Sequence, residues 1–74
     1  MEHHHHETEI DSNDKIITLL KHWIKHNEEH ANSYKSWADR IHGRESEKIK
    51  ELLYEAASLT IEVNDKFKKA IEIF

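Results

Sequence analysis

The sequence predicts an all-α protein, an antiparallel two-helix hairpin that pairs with a second copy as a homodimer, giving a four-helix bundle. Three observations carry that prediction. The 74 residues hold no proline, no cysteine and one glycine, Gly43, a composition that favours long helices and excludes disulfides and thiolate metal sites. Apolar residues recur at alternating steps of three and four on both sides of Gly43, the period of helices with one buried face. A chain of this length also rarely buries enough apolar surface to fold without a metal, a disulfide or a partner subunit.

Residues 1–13 are expected to form a flexible, His-rich, acidic tail, read either as native or as an appended purification tag. The formal net charge is −4. Residues 1–14 contribute five acidic groups and no basic one, whereas residues 15–74 carry eleven basic and ten acidic groups. His3 stands third from the amino terminus. A free amine, two deprotonated amides and its imidazole form the four-nitrogen square plane that Cu(II) and Ni(II) favour. His4, His5 and His6, among Glu2, Glu7 and Glu9, add further donors for borderline divalent metals.

The hairpin is expected over residues 14–74. Asp11, Ser12, Asn13 and Asp14 are cap formers, and after them Ile16, Leu20, Trp23, Asn27, His30, Tyr34, Trp37 and Ile41 form a heptad seam. Ile17, Leu19, Ile24, Ala31 and Ala38 widen it to the stripe of a bundle helix. The pattern stops near 42–45, where Gly43 suits a left-handed closing residue and Glu45, Ser46 and Glu47 supply a cap and first-turn acids for the second helix. That helix repeats the spacing at Ile49, Leu53, Ala56, Thr60, Val63, Phe67, Ala70 and Phe74. Folding back at Gly43 pairs residue numbers that add to about 87, which brings Asn27 near Thr60 and His30 near Ala56 and Ala57. Tyr54, Ala57 and Ile61 extend the apolar arc to a flank that the dimer is expected to cover.

His22, His26 and His30 follow one another at steps of four. Neighbours at that spacing on a helix can ligate one ion, while His22 and His30 are about 12 Å apart along the axis and cannot share one directly. His26 therefore chooses between an outer pair with His22 and an inner pair with His30, with Glu29 close enough to act as a carboxylate ligand or an outer acceptor. The inner pair is favoured because polar residues at Asn27 and His30 together break the apolar seam. The competing readings are a solvated His22 and a His30 buried in a structural polar layer with Asn27 and Thr60.

The run H-W-I-x-H-N-x-x-H-A-x-x-Y-x-x-W-A, carried by His22, Trp23, His26, Asn27, His30, Tyr34 and Trp37, resembles a family of small helical-hairpin proteins of anaerobic archaea and bacteria. The resemblance spans residues 15–74 and implies a loose association with nickel or cobalt handling. The reading is a cytoplasmic protein that buffers or delivers a divalent transition metal (Ni, Co, Zn or Cu), with a metalloenzyme or transporter as a further partner. The alternatives are a non-catalytic interaction module and a bundle enclosing a small organic ligand. Interspersed charges argue against nucleic acid, short apolar runs against a membrane span, and the lack of an activated nucleophile, phosphate loop or paired carboxylates against an enzyme.

Overall fold

In the computed structural model, which describes residues 8–74 and their side chains from Ser12 onward, two helices account for almost the whole chain: α1 (Thr8–Ala38) and α2 (Ser46–Ile73). They run antiparallel, since Asn27 meets Asn64, Trp23 meets Phe67, and Asp39 meets Tyr54. This is the expected hairpin. α1 begins at Thr8, six residues before Asp14. No glycine or proline lies upstream of Asp14 to end it, and the cap formers there are absorbed into the helix.

The connection is longer than the turn expected at 42–45. α1 closes at Ala38 with its last turn tightened, Arg40 N–H donating to Trp37 and Ile41 N–H to Ala38 at 3.0 and 3.1 Å, and the Arg40 guanidinium lies over the Trp37 ring, 4.8 Å from its centroid. Gly43 adopts φ 103° in the middle of the loop, a conformation that L side chains rarely take. Glu45 precedes α2 at φ 60° and makes no side-chain cap. Its carboxylate instead pairs with Lys48 at 3.4 Å, a solvated contact worth little stability.

The seam between the helices differs from the expected one by a single residue on α1. Leu20, Ala31 and Ala38 are buried and Ile17, Ile24, Asn27 and Tyr34 are half-buried, whereas Ile16, Trp23, His30 and Trp37 are exposed. The two candidate seams share Leu20, Asn27, Tyr34 and Ile41, so periodicity alone does not separate them. Size does: Ala31 and Ala38 let two backbones approach, and indole rings at the same positions would hold them apart. On α2 Ala57 and Asn64 are buried and Leu53, Ala56, Thr60, Phe67, Ala70 and Ile71 half-buried, so Ala57 joins Ala56 in the expected seam and Asn64 takes the place of the exposed Val63. Cross-helix neighbours have numbers that add to 90 or 91 at Trp23–Phe67 and Asn27–Asn64, above the expected 87.

Each helix turns about 100° per residue, which assigns the remaining residues to two broad faces. One carries Lys21, Glu28 and Lys35 of α1, with Asp39 just past its end, beside Glu47, Tyr54, Ile61 and Asp65 of α2. The Tyr54 hydroxyl donates to Asp39 at 2.5 Å across it. The other carries Ile16, Leu19, Trp23, His26, His30 and Trp37 of α1 beside Leu52, Leu59 and Val63 of α2, with Trp37 60%, Leu52 64% and Leu59 61% exposed. The Tyr54 and Ile61 flank, expected to be the dimer contact, thus sits on the charged face, and the extensive apolar surface lies opposite.

Candidate functional site

Halfway along the hairpin, two polar pairs occupy neighbouring positions. The first is internal. Asn64 is 1% exposed. Its Oδ1 accepts from Asn27 Nδ2 at 2.9 Å and its Nδ2 donates to the Ile24 carbonyl at 3.0 Å. A buried amide costs free energy unless its groups are paired, and here both ends of Asn64 are. Asn27 belongs to a polar layer, as its place in the α1 pattern suggested, but its partner is Asn64 and not His30 or Thr60. Thr60 turns its hydroxyl to the Ala56 carbonyl of its own helix, at 2.8 Å. Asn64 escapes a reading by apolar pattern because Val63, one residue earlier, fits the heptad better. The available signal was its place in the run Ala57, Thr60, Asn64, Phe67, Ile71.

The second pair is external. His26 Nε2 and His30 Nε2 approach to 2.9 Å, with their rings edge to face at a centroid distance of 4.3 Å. One nitrogen donates and the other accepts, so the two rings carry opposite tautomers. Both residues are exposed, which corrects the expectation that His30 is enclosed in the seam; Ala31 takes that place.

His22 stands differently. Its ring stacks nearly parallel on His26, 17° between planes and 5.7 Å between centroids, so their nitrogens do not converge. On the other side Tyr34 stacks on His30 at 6.0 Å and 16°. The four rings form a ladder along α1 in which the middle step alone, His26 to His30, joins two nitrogens. Glu29 lies on the side of α1 turned away from α2 and is exposed. Among the described residues, no three His, Cys, Asp or Glu side chains come together as a ready ion site, so Glu29 does not complete the histidine pair. His3, His4, His5 and His6 lie outside the described residues.

Two imidazole nitrogens aimed at one point can share a proton or an ion. Tetrahedral Zn–N bonds of about 2.0–2.1 Å hold two ligand nitrogens roughly 3.3–3.4 Å apart. The observed pair is closer by roughly half an ångström, which a small rotation of either ring supplies. The arrangement is therefore half of a tetrahedral site, able to supply two ligands and no more.

The chain matches the family model described as "Domain of unknown function (DUF8180)" over residues 16–74. It is 35% identical over 60 residues to an uncharacterized protein of Archaeoglobus fulgidus, an alignment covering 81% of this chain and 95% of that protein. No solved structure matches. The chain belongs to the DUF8180 family.

Proposed function

We propose that this DUF8180 protein binds a divalent transition metal through His26 and His30 and acts in the cytoplasm as a buffer or carrier, without catalysis. The observation that carries the reading is the 2.9 Å convergence of the two Nε2 atoms on an exposed surface. A histidine pair needed only for packing has no reason to aim its nitrogens at each other in solvent, where water satisfies each of them separately. Exposure also suits a carrier, which must take up and release its ion. Imidazole selects Zn, Ni, Co and Cu over Mg and Ca. Neutral imidazole is the ligand, so binding weakens as acid protonates the pair.

The test removes the confounding tail first. In the full chain with His3, His4, His5 and His6 replaced by Asn, calorimetric titration with Zn(II) and Co(II) is expected to show binding. His26→Ala or His30→Ala lowers the affinity by at least roughly tenfold, the scale set by losing one of two ligands. His22→Ala changes it little. Equal affinity in all three variants would reject the pair as a site.

A further inference from the structure

The histidine pair supplies two ligands where a closed tetrahedral site needs four, and it sits on the hairpin's apolar face. We infer that this face packs on the same face of a second copy and that the two His26–His30 pairs together enclose one ion. This inference rests on the reading of His26 and His30 as metal ligands.

The case for a second copy is the symmetry of the face itself. On α1 the outward positions from Ile16 to Trp37, at steps of three and four, include no charged residue, so nothing on them recognises a partner by charge. About the level of residue 28 two of their pairs match, Leu19 with Trp37 and His26 with His30, while Trp23 falls on Ser33 and Ile16 on Arg40 at the helix end. On α2 the pattern is symmetric about Val63, with Ala56 answering Ala70 and Leu52 answering Phe74. Residues 28 and 63 stand at the same height of the hairpin, because their numbers add to 91, as those of Asn27 and Asn64 do. A single twofold axis lying across the face at that height therefore serves both helices.

Turned about that axis, α1 lies antiparallel on the partner's α1, and small or large residues of α2 meet their own kind. Trp23 falls opposite the partner's Ser33, a large side chain against a small one, which is how layers interdigitate. His26 falls opposite the partner's His30. With helix axes about 8–10 Å apart, four imidazole nitrogens converge from both sides on one point. The size also fits. Two helices each about 10 Å wide and about 33 Å long from Ile16 to Ala38 present on the order of 700 Å² per copy, close to the roughly 800 Å² per partner of a standard stable interface.

Sedimentation velocity and native mass spectrometry of the full chain, with His3 to His6 replaced by Asn, test this directly. The expected result is one Zn(II) per two chains, and a dimer dissociation constant lowered by zinc roughly tenfold or more, since an ion bound only by the dimer stabilises it by mass action. His26→Ala abolishes the zinc effect. Leu59→Lys, at a position already 61% exposed in the single hairpin, weakens both dimer and zinc binding while circular dichroism keeps its helical signal. One zinc per chain, held by a monomer through His26 and His30, would overturn the shared site and leave the pair standing as ligands. A dimer indifferent to zinc overturns it equally, and zinc uptake that ignores both histidines removes the shared site together with the reading beneath it.

Discussion

Asn27 with Asn64, and His26 with His30, are polar pairs less than one helical turn apart, yet one is closed between the helices and the other opens outward. The asparagine pair spans α1 and α2 with complementary donors and acceptors, and so fixes which residues face each other: a buried amide that slips by a turn loses its partners and keeps its desolvation cost. The histidine pair lies within one helix and fixes no register. Its bond can be opened without moving the backbone, which leaves its nitrogens available. One residue's difference in position, about 100° around α1, separates a structural device from a chemical one.

The largest way to break the comparison is at its buried side. Asn64→Asp puts a carboxylate where the Ile24 carbonyl now accepts an amide hydrogen, and an unpaired buried charge costs about 3–5 kcal/mol. A thermal melt is expected to show the hairpin lost or its midpoint sharply lowered. In zinc-free protein diluted below the dimer dissociation constant, the matching change on the open side, His30→Asp, leaves the melt almost unmoved, as exposed substitutions do within about 0.5 kcal/mol.

The next effect belongs to the histidines alone. His26→Ala is expected to reduce zinc affinity by at least roughly tenfold, since even an outer-shell partner of a ligand is worth that much, read by calorimetry, with helicity unchanged. Smaller in stability is the double replacement Asn27→Leu with Asn64→Leu, which removes both partners together and stays within about 1 kcal/mol of the parent. What it loses is uniqueness. Amide NMR spectra are expected to broaden or double as the helices sample alternative registers, with zinc affinity retained.

The smallest effect lies on the charged face. Donation to Asp39, reinforced by desolvation and by the carboxylate's charge, raises the Tyr54 pKa above 10.0. The phenol is then favoured in the folded state. The linked stability is complete below pH 10 and is lost as pH rises through the folded value. In a Tyr34→Phe background, phenolate absorbance is expected to titrate later in the parent than in Asp39→Ala.

Composition and period were enough for two helices and one turn, because a chain with one glycine and no proline has few other ways to satisfy its backbone. They did not choose between two seams that share Leu20, Asn27, Tyr34 and Ile41. That choice turns on how closely Ala31 and Ala38 let the helices approach, a property of both helices at once. The same ambiguity misplaced His30: read as part of the Trp23–Trp37 line it is internal, and in the structure His30 and Trp37 face outward while Trp23 edges onto Phe67. Asn27 was legible as a polar interruption, but its partner was not, since Val63 masks Asn64 to any reading that follows hydrophobicity. The spacing of His26 and His30 was visible from the start, whereas the stacking of His22, which turns its ring away from convergence, depends on rotamers that the pattern does not encode.

Ring nitrogen NMR on the uniformly ¹⁵N-labelled full chain, with His3 to His6 replaced by Asn, separates the roles of these residues most directly. On addition of Zn(II), the Nε2 resonances of His26 and His30 are expected to shift together to the metal-bound position, while His22 and the Asn27 and Asn64 amides keep their places. Joint movement of His22 and His26 with His30 unchanged, or no movement of any ring at saturating zinc, would contradict the assignment of the inner pair as the metal ligands.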